Sequence, residues 1–527
     1  MSKGYLALVL HCHLPFVRHP EHPRFLEEDW LFEAISETYL PLLRVFERVR
    51  RDGVNFRLTM SISPTLAAML QDELLQNRYI KHVKRLIELS KEEIKRTASE
   101  KKLNKLARMY LGFFEENFKC FTDEYNCNLL TGFKLFQKEG FLELITTSAT
   151  HCFLPLLQVA LQGVEAQIRI AVESHVRNFG SVPQGIWLPE CGFYPGVEEI
   201  LDKVGVKYFF VDSSGILLAR EKPLNGVYAP LLCDNGVAAF GRDPEAAETV
   251  WSSEVGYPGH SAYREFYRDI GFDLPLEYLE DYFHEGSVRV NTGIKYYAVT
   301  GRTEDKVLYN RNEALRKADE HGEHFIDSLI RQMERLSFLM ERESLFVCPY
   351  DAELFGHWWF EGPQWIESLI RKTAMVRDRI EMITPADYLQ RYPDNQKSEP
   401  CFSSWGNKGY AEVWLDRSND WIYPHLHKMT ELMVDLARTN KEASGLRRRA
   451  LNQAARELLL SQASDWAFIM KMKRTAPYAI RRTREHIYNL TRLHESITGG
   501  TIDQEWLSCL EQRNNIFPFI DYRVYSP

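Results

Sequence analysis

The sequence has no apolar run of the roughly 20 residues that a membrane-spanning helix requires, so no membrane partner is expected. Its first apolar run, Tyr5–Leu10, is too short for the core of a signal peptide and has no small-residue cleavage site after it, which predicts a cytoplasmic protein. Tight cysteine pairs are also missing. The nine cysteines (12, 120, 127, 152, 191, 233, 348, 401 and 509) are odd in number and scattered, a pattern of reduced thiols that argues against a disulfide or zinc framework. There is no basic block. Lys and Arg number 65 against 73 Asp and Glu, a net charge of −8, so nucleic acid is not an expected partner. No internal repeat or low-complexity segment is found.

What is present is a soluble globular composition: 527 residues, 45% hydrophobic and 26% charged. That length is too great for one small core and predicts two or more domains. Aromatics are the informative excess, with 11 Trp and 25 Tyr. Rings beyond the needs of a core often line sites for flat apolar ligands or sugar faces.

Apolar runs that stop at polar residues recur along the first two thirds. Tyr5–Leu10 reads as a strand covered on both faces and ends in His11-Cys12-His13. In extended geometry His11 and His13 point the same way. They fit either hydrogen-bond donors to a substrate or two of three ligands of a catalytic metal. Segment 55–64 reads as a second strand, 65–124 as charged helices, and Leu142–Thr147 as a third strand that runs on to His151. Gly185–Leu188 is the fourth, and the first residue past Pro189 is a carboxylate, Glu190, between Trp187 and Phe193-Tyr194. Lys207–Asp212 is the fifth. Leu345–Pro349 leads into Asp351, which repeats the placement of Glu190, with Glu353 a rival on the same side. Strands alternating with helices, with polar residues at the strand ends, predict a parallel α/β barrel.

The rhythm breaks over 213–290. Val227–Leu231 and Gly236–Phe240 read as hairpin strands of an inserted subdomain over the barrel mouth. Tyr263–Asp269 is dense in rings and charges and fits an ion-paired surface helix as well as a site element; 291–300 reads as one more strand. Arg391–Pro400 reads as a linker. It is followed by an aromatic loop over 403–415 that looks mobile and then by helices to about Thr498. The expected organisation is therefore a barrel over 1–395, interrupted by 213–290, and a helical domain over 401–527.

Two carboxyls at strand ends of one barrel, with aromatic walls, suit acid/base work on a glycosidic bond. A retaining enzyme needs them about 5–5.5 Å apart, one ionised and one protonated. Trp251, Trp358, Trp405, Trp414 and Trp466 are candidates to stack on sugar faces.

His11-Cys12-His13-Leu14-Pro15-Phe16, Trp187-Leu188-Pro189-Glu190-Cys191 and the run from Tyr350 to Trp359 resemble three signature regions of glycoside hydrolase family 57. Gly241-Arg242-Asp243-Pro244, segment 251–273, Ser404-Trp405-Gly406 and Ser464-Asp465-Trp466 are similar to its 1,4-α-glucan branching members. The resemblance implies a distorted, TIM-like (β/α)7 barrel with a small insertion and an all-α C-terminal domain, with no metal and no cofactor. It implies Glu190 as nucleophile and Asp351 as acid/base. It implies substrate contacts from His11, His13, His151, Trp187, Arg268, Gly286, His357, Trp358, Trp405, Trp414, Asp465 and Trp466. The partner would be an α-1,4-glucan chain such as amylose, glycogen or starch, and the protein a monomer or weak oligomer. Cys152 stands where the family pattern has a glycine, and His260 where it has an aspartate. The rival activities are an α-amylase or 4-α-glucanotransferase of the same family, a zinc-dependent deacetylase-like hydrolase using His11 and His13, and a glucan-binding protein without catalysis.

Overall fold

The computed structural model describes residues 3–252, 256–282 and 288–526. Seven parallel strands form the staves of a barrel: β1 (Gly4–Cys12), β2 (Leu58–Ile62), β3 (Leu142–Ile145), β4 (Gly185–Ile186), β5 (Tyr208–Val211), β7 (Ala238–Gly241) and β8 (Ser344–Asp351). β1 pairs with β8 along its length, in register from Gly4↔Ser344 to His11↔Asp351, and its upper half pairs with β2. β2 pairs with β3, β4 with β5 and β5 with β7. Two narrow joints close the ring. The Trp187 N–H donates to the Thr146 carbonyl at 2.8 Å between β3 and β4, and the Asp243 N–H donates to the Val347 carbonyl at 2.9 Å between β7 and β8.

Two further strands pair low on the staves. β6 (Leu231–Leu232) lies antiparallel on the start of β7, and β9 (Ile380–Met382) lies parallel on the start of β1. The assignment of Gly236–Phe240 to an inserted hairpin is therefore corrected: its core, β7, is a stave of the barrel. Residues 291–300 form no strand but an irregular stretch with single bridges, Arg264↔Ala298 and Tyr297↔Leu308. Segment 263–269 is not a surface helix. Arg264 is buried over the Phe360 ring, and the Asp269 carboxylate is buried, accepting from the backbone of Gly271, Thr292 and Gly293. The expected linker is an ordered extended segment, because the Leu232 N–H donates to the Gln396 carbonyl and the Ser398 N–H donates to the Leu232 carbonyl.

Alternation of side chains explains what the barrel encloses. On β1, Leu6, Leu8 and Leu10 face the surrounding helices, while Tyr5, Ala7 and Val9 join Tyr208, Phe210, Phe240, Leu345 and Val347 inside. The same period brings His11 and Asp351 inward at the top, so the interior turns from apolar to polar in one layer. Gly185 has to be glycine, since a Cβ there would lie 2.2 Å from the Tyr208 ring.

Helices Ile422–Thr439, Gly445–Ser461, Ser464–Met472, Ala476–Gly499 and Gln504–Arg513 make up the C-terminal part. They share a hydrophobic core with the barrel: Trp414, Leu426 and Trp466 pack in one cluster with Ile168, Leu188 and Phe193. Burial of that many apolar side chains, each worth roughly 1.5–3 kcal/mol, fixes the helical part to the barrel face that carries Glu190.

Candidate active site

Glu190 sits on the short turn Pro189–Cys191 that ends β4, in the left-handed region at φ 62°. Its neighbours His151 (φ 57°) and Cys191 (φ 52°) share that conformation. Non-glycine residues hold such angles only where the surroundings dictate them. Here the dictating partner is the segment after the linker. Phe193 and Ser403 form a bridge, and the Trp405 N–H donates to the Glu190 carbonyl at 3.0 Å.

Glu190 and Asp351 open into one cavity of about 730 Å³. Its walls also carry His11, His13, His151, Asp465, Glu353, Arg242 and the rings of Trp30, Trp251, Trp358, Trp405 and Trp414. The two acids are treated differently. The Glu190 carboxylate accepts from Trp405 Nε1–H at 2.8 Å and from the Ser464 hydroxyl at 3.0 Å. Burial pushes its carboxyl up to about 7, with a further upward push from Asp465 and an opposing pull from those two donors. Asp351 is held well above the usual carboxylate range by burial and then by the negative charges of Glu353, Glu190 and Asp465. Donors aimed at one acid favour its ionised form; acids crowded around the other favour its protonated form. Such an arrangement suits chemistry that needs a base or nucleophile beside a proton donor.

The three histidines form a stack. His11 lies flat on Trp187 (ring centroids 4.5 Å apart, 5° between planes), and His13 lies on His151 at 3.8 Å. His13 reaches Asp465 at 3.1 Å through Nε2 and Ser63 at 2.9 Å through Nδ1. Ser63 also caps the helix Pro64–Gln71. His11 Nε2 bonds His151 Nε2 at 2.9 Å, and its Nδ1 bonds Ser61 at 3.2 Å. Among the described residues, one group of His, Cys, Asp and Glu ligand atoms is close enough for a metal: His13, His151 and Asp465. The donor set does not suit an ion. His151 has both nitrogens bonded elsewhere, and its face-to-face stack on His13 aims neither lone pair at a common point.

Other expected contacts fall into three groups. Trp358 (47% exposed, stacked on Phe266) and His357 line the cavity, and His357 is held by Glu37 at 2.8 Å. Trp414 borders the cavity but is buried, its ring stacked on Phe153 at 4.6 Å. Trp187 and Trp466 do not reach it. Trp187 backs His11, and Trp466 is buried with its indole N–H on the Leu460 carbonyl at 2.8 Å, so neither offers a face to a sugar. Arg268 is not brought to the cavity either. Its guanidinium pairs with Asp273 at 2.9 Å and lies over Tyr297. Gly286 lies outside the described residues. Cys152 and His260 are not cavity residues: Cys152 is buried and paired with Ala463, and His260 contacts His321 and Tyr263.

Sequence reasoning missed the helix Asp29–Ala34 and the π-helical turn Ile35–Tyr39 as contributors. They bring Trp30 and Glu33 to the cavity wall and Glu37 behind it, on His357. Burial would raise the Glu37 carboxyl, but Arg264 and His357 outweigh it and bring it down to about 2. Tyr39 from the same turn donates to Glu353. An acid at each of two positions four apart beside Trp30 was the available signal, but it also describes an ordinary solvated helix face. Ser464 was likewise unassigned.

Residues 7–398 match Glycosyl hydrolase family 57, and residues 425–525 match the C-terminal region of 1,4-alpha-glucan branching enzymes. The chain is 32% identical over 553 aligned residues to a 1,4-alpha-glucan branching enzyme of Thermococcus kodakarensis, covering 98% of this chain and 77% of the relative. It superposes on alpha-amylase AmyC of Thermotoga maritima with TM-score 0.93 at 43% identity, covering 100% of this chain and 99% of that one. It superposes on a branching enzyme of Pyrococcus horikoshii with TM-score 0.89 at 33% identity, covering 99% and 97%.

Proposed function

The chain belongs to glycosyl hydrolase family 57, and we propose on that footing that it is a 1,4-α-glucan branching enzyme acting by retaining double displacement. Glu190, whose ionised form is favoured by the hydrogen bonds from Trp405 and Ser464, attacks the anomeric carbon of an α-1,4-linked glucose. The bond from that carbon to the departing O4 breaks, and the Asp351 proton passes to O4. A glycosyl ester on Glu190 remains. Asp351, now a carboxylate, takes the proton of an incoming C6 hydroxyl, whose oxygen displaces Glu190 and leaves an α-1,6 branch. Such a product fits glycogen- or starch-type glucan synthesis in the cytoplasm.

Transfer prevails over hydrolysis when an acceptor chain occupies the mouth and keeps water from the ester. The aromatic lining supports this, since Trp251 and Trp358 are exposed at 39% and 47% beside the acids. The observation that carries the reading is the unequal treatment of two acids in one cavity, donors on Glu190 and acids around Asp351.

A second reading, an α-amylase, is favoured by the 43% identity to the Thermotoga maritima protein. Incubation with amylose separates the two. Branching yields new α-1,6 linkages with few new reducing ends, whereas an amylase yields reducing ends without branches. Glu190→Gln should abolish both products, with a fall of about 10,000-fold or more.

A further inference from the structure

Beyond the donor that Ser464 gives Glu190, four side chains are linked to one another beside the acids: Ser61, His11, His151 and Ser464. They form an unbroken line. Ser61 Oγ lies 3.2 Å from His11 Nδ1, His11 Nε2 lies 2.9 Å from His151 Nε2, His151 Nδ1 lies 2.9 Å from Ser464 Oγ, and Ser464 Oγ lies 3.0 Å from Glu190 Oε1. Backbone bonds lock the far end. The Ser464 N–H donates to the His151 carbonyl at 2.9 Å, and Cys152 bridges Ala463.

Proton counting gives the line a direction. An ionised carboxylate only accepts, so Ser464 spends its single hydroxyl proton on Glu190. Ser464 must then accept from His151, which places the His151 proton on Nδ1. Burial, and then the proximity of His13, holds both His11 and His151 well below the usual imidazole range, so each is neutral and carries one ring proton. His151 Nε2 is therefore bare and accepts from His11 Nε2–H, and bare His11 Nδ1, at 3.2 Å, takes the Ser61 hydroxyl proton in preference to the Thr146 carbonyl, which lies farther from Ser61 Oγ at 3.4 Å. The opposite orientation would turn the Ser464 proton away from Glu190 and set a bare oxygen against its charge.

We propose that Ser61, His11, His151 and Ser464 are a one-way hydrogen-bond relay, with Ser464 the positioning residue that aims Glu190 and favours its carboxylate. This rests on Glu190 being the nucleophile. When Glu190 becomes the glycosyl ester, its oxygen still accepts, so the relay need not reverse during turnover. The relay also reassigns two residues. The ring nitrogens of His11 and His151 are fully engaged, so they orient the nucleophile instead of holding sugar hydroxyls, and Trp187 serves as the plate against which His11 is fixed. His13, whose Nε2 faces Asp465, keeps its place beside the substrate.

Two measurements test the relay. Long-range proton–nitrogen NMR on histidine-labelled protein should find His151 protonated on Nδ1 and His11 on Nε2, both neutral at pH 7. A proton on His151 Nε2, or a cationic ring on either, overturns it. In kinetics, Ser464→Ala should lower kcat/KM by about 10- to 100-fold with little change in KM. It should also move the acidic limb of the pH profile up by about one unit. Ser61→Ala, remote from the cavity, should move the limb the same way by less, and Ser464→Thr should restore it. The other groups facing Glu190, namely His13, Asp351, Asp465 and, beyond Cys191, the Arg242–Asp212 pair, are unchanged in these variants. An unmoved limb in Ser464→Ala overturns the relay. Activity surviving in Glu190→Gln would instead overturn the assignment of the nucleophile, and the NMR result reads out the relay independently.

Discussion

The barrel interior holds a second half-buried glutamate low on its wall, and comparing it with the one at the mouth separates burial from function. Glu143 on β3 and Glu190 past β4 are both pushed up to about 7 by burial. Glu143 accepts from the Thr59 hydroxyl at 3.2 Å and lies near the Tyr208 ring, away from the cavity. Glu190 has donors on both oxygens, a strained backbone and an opposing acid across open space. A displaced pKa alone therefore marks a low-dielectric site. Access, donors and a second acid are what the proposed catalytic site has in addition.

The comparison can be sharpened by four substitutions. Glu190→Gln carries the largest effect, the loss of both transfer and hydrolysis given above. Asp351→Asn should cost about 100- to 10,000-fold on amylose and much less on a maltooligosyl fluoride, whose leaving group needs no proton; equal losses on both would deny Asp351 the role of acid. It should also abolish the alkaline limb, because the protonated form of Asp351 is the active one. Trp405→Phe keeps a ring but removes the donor to Glu190, and kcat/KM should fall about 10- to 100-fold.

Glu143→Gln should leave kcat unchanged and alter only stability. The native carboxyl titrates near 7 and the unfolded one near 4.5, so the native state binds the extra proton between those values. Stability from this group is complete below pH 4.5 and is lost as pH rises towards 7. The variant should therefore gain on wild type over that window, by at most about 3 kcal/mol, read as a difference in Tm at pH 5 and pH 7.5. A fall in kcat would place Glu143 in the mechanism and undo the comparison.

Much of this was legible in the chain because strand-end chemistry is local. The two-residue period that buries Tyr5, Ala7 and Val9 also turns His11 inward, and the stop at Pro189 sets Glu190 at a mouth. What was not legible is non-local. β7 reads as one arm of a hairpin, and only its pairing with β5 makes it a stave. Trp466 reads as a sugar platform because an indole beside an acid looks the same whether it faces solvent or, as here, the core. Arg268 carries its own partner five residues on, Asp273, which the spacing did not reveal. Ser464 gains meaning only from His151 and Glu190, 313 and 274 residues away in the chain.

That last separation has a consequence for how activity arises during synthesis. A ribosome releases the barrel staves first, and until the segments bearing Trp405 and Ser464 emerge and dock, Glu190 is a carboxyl without its two donors. A prematurely terminated product would carry the signature motifs around Glu190 without either of the groups that orient it.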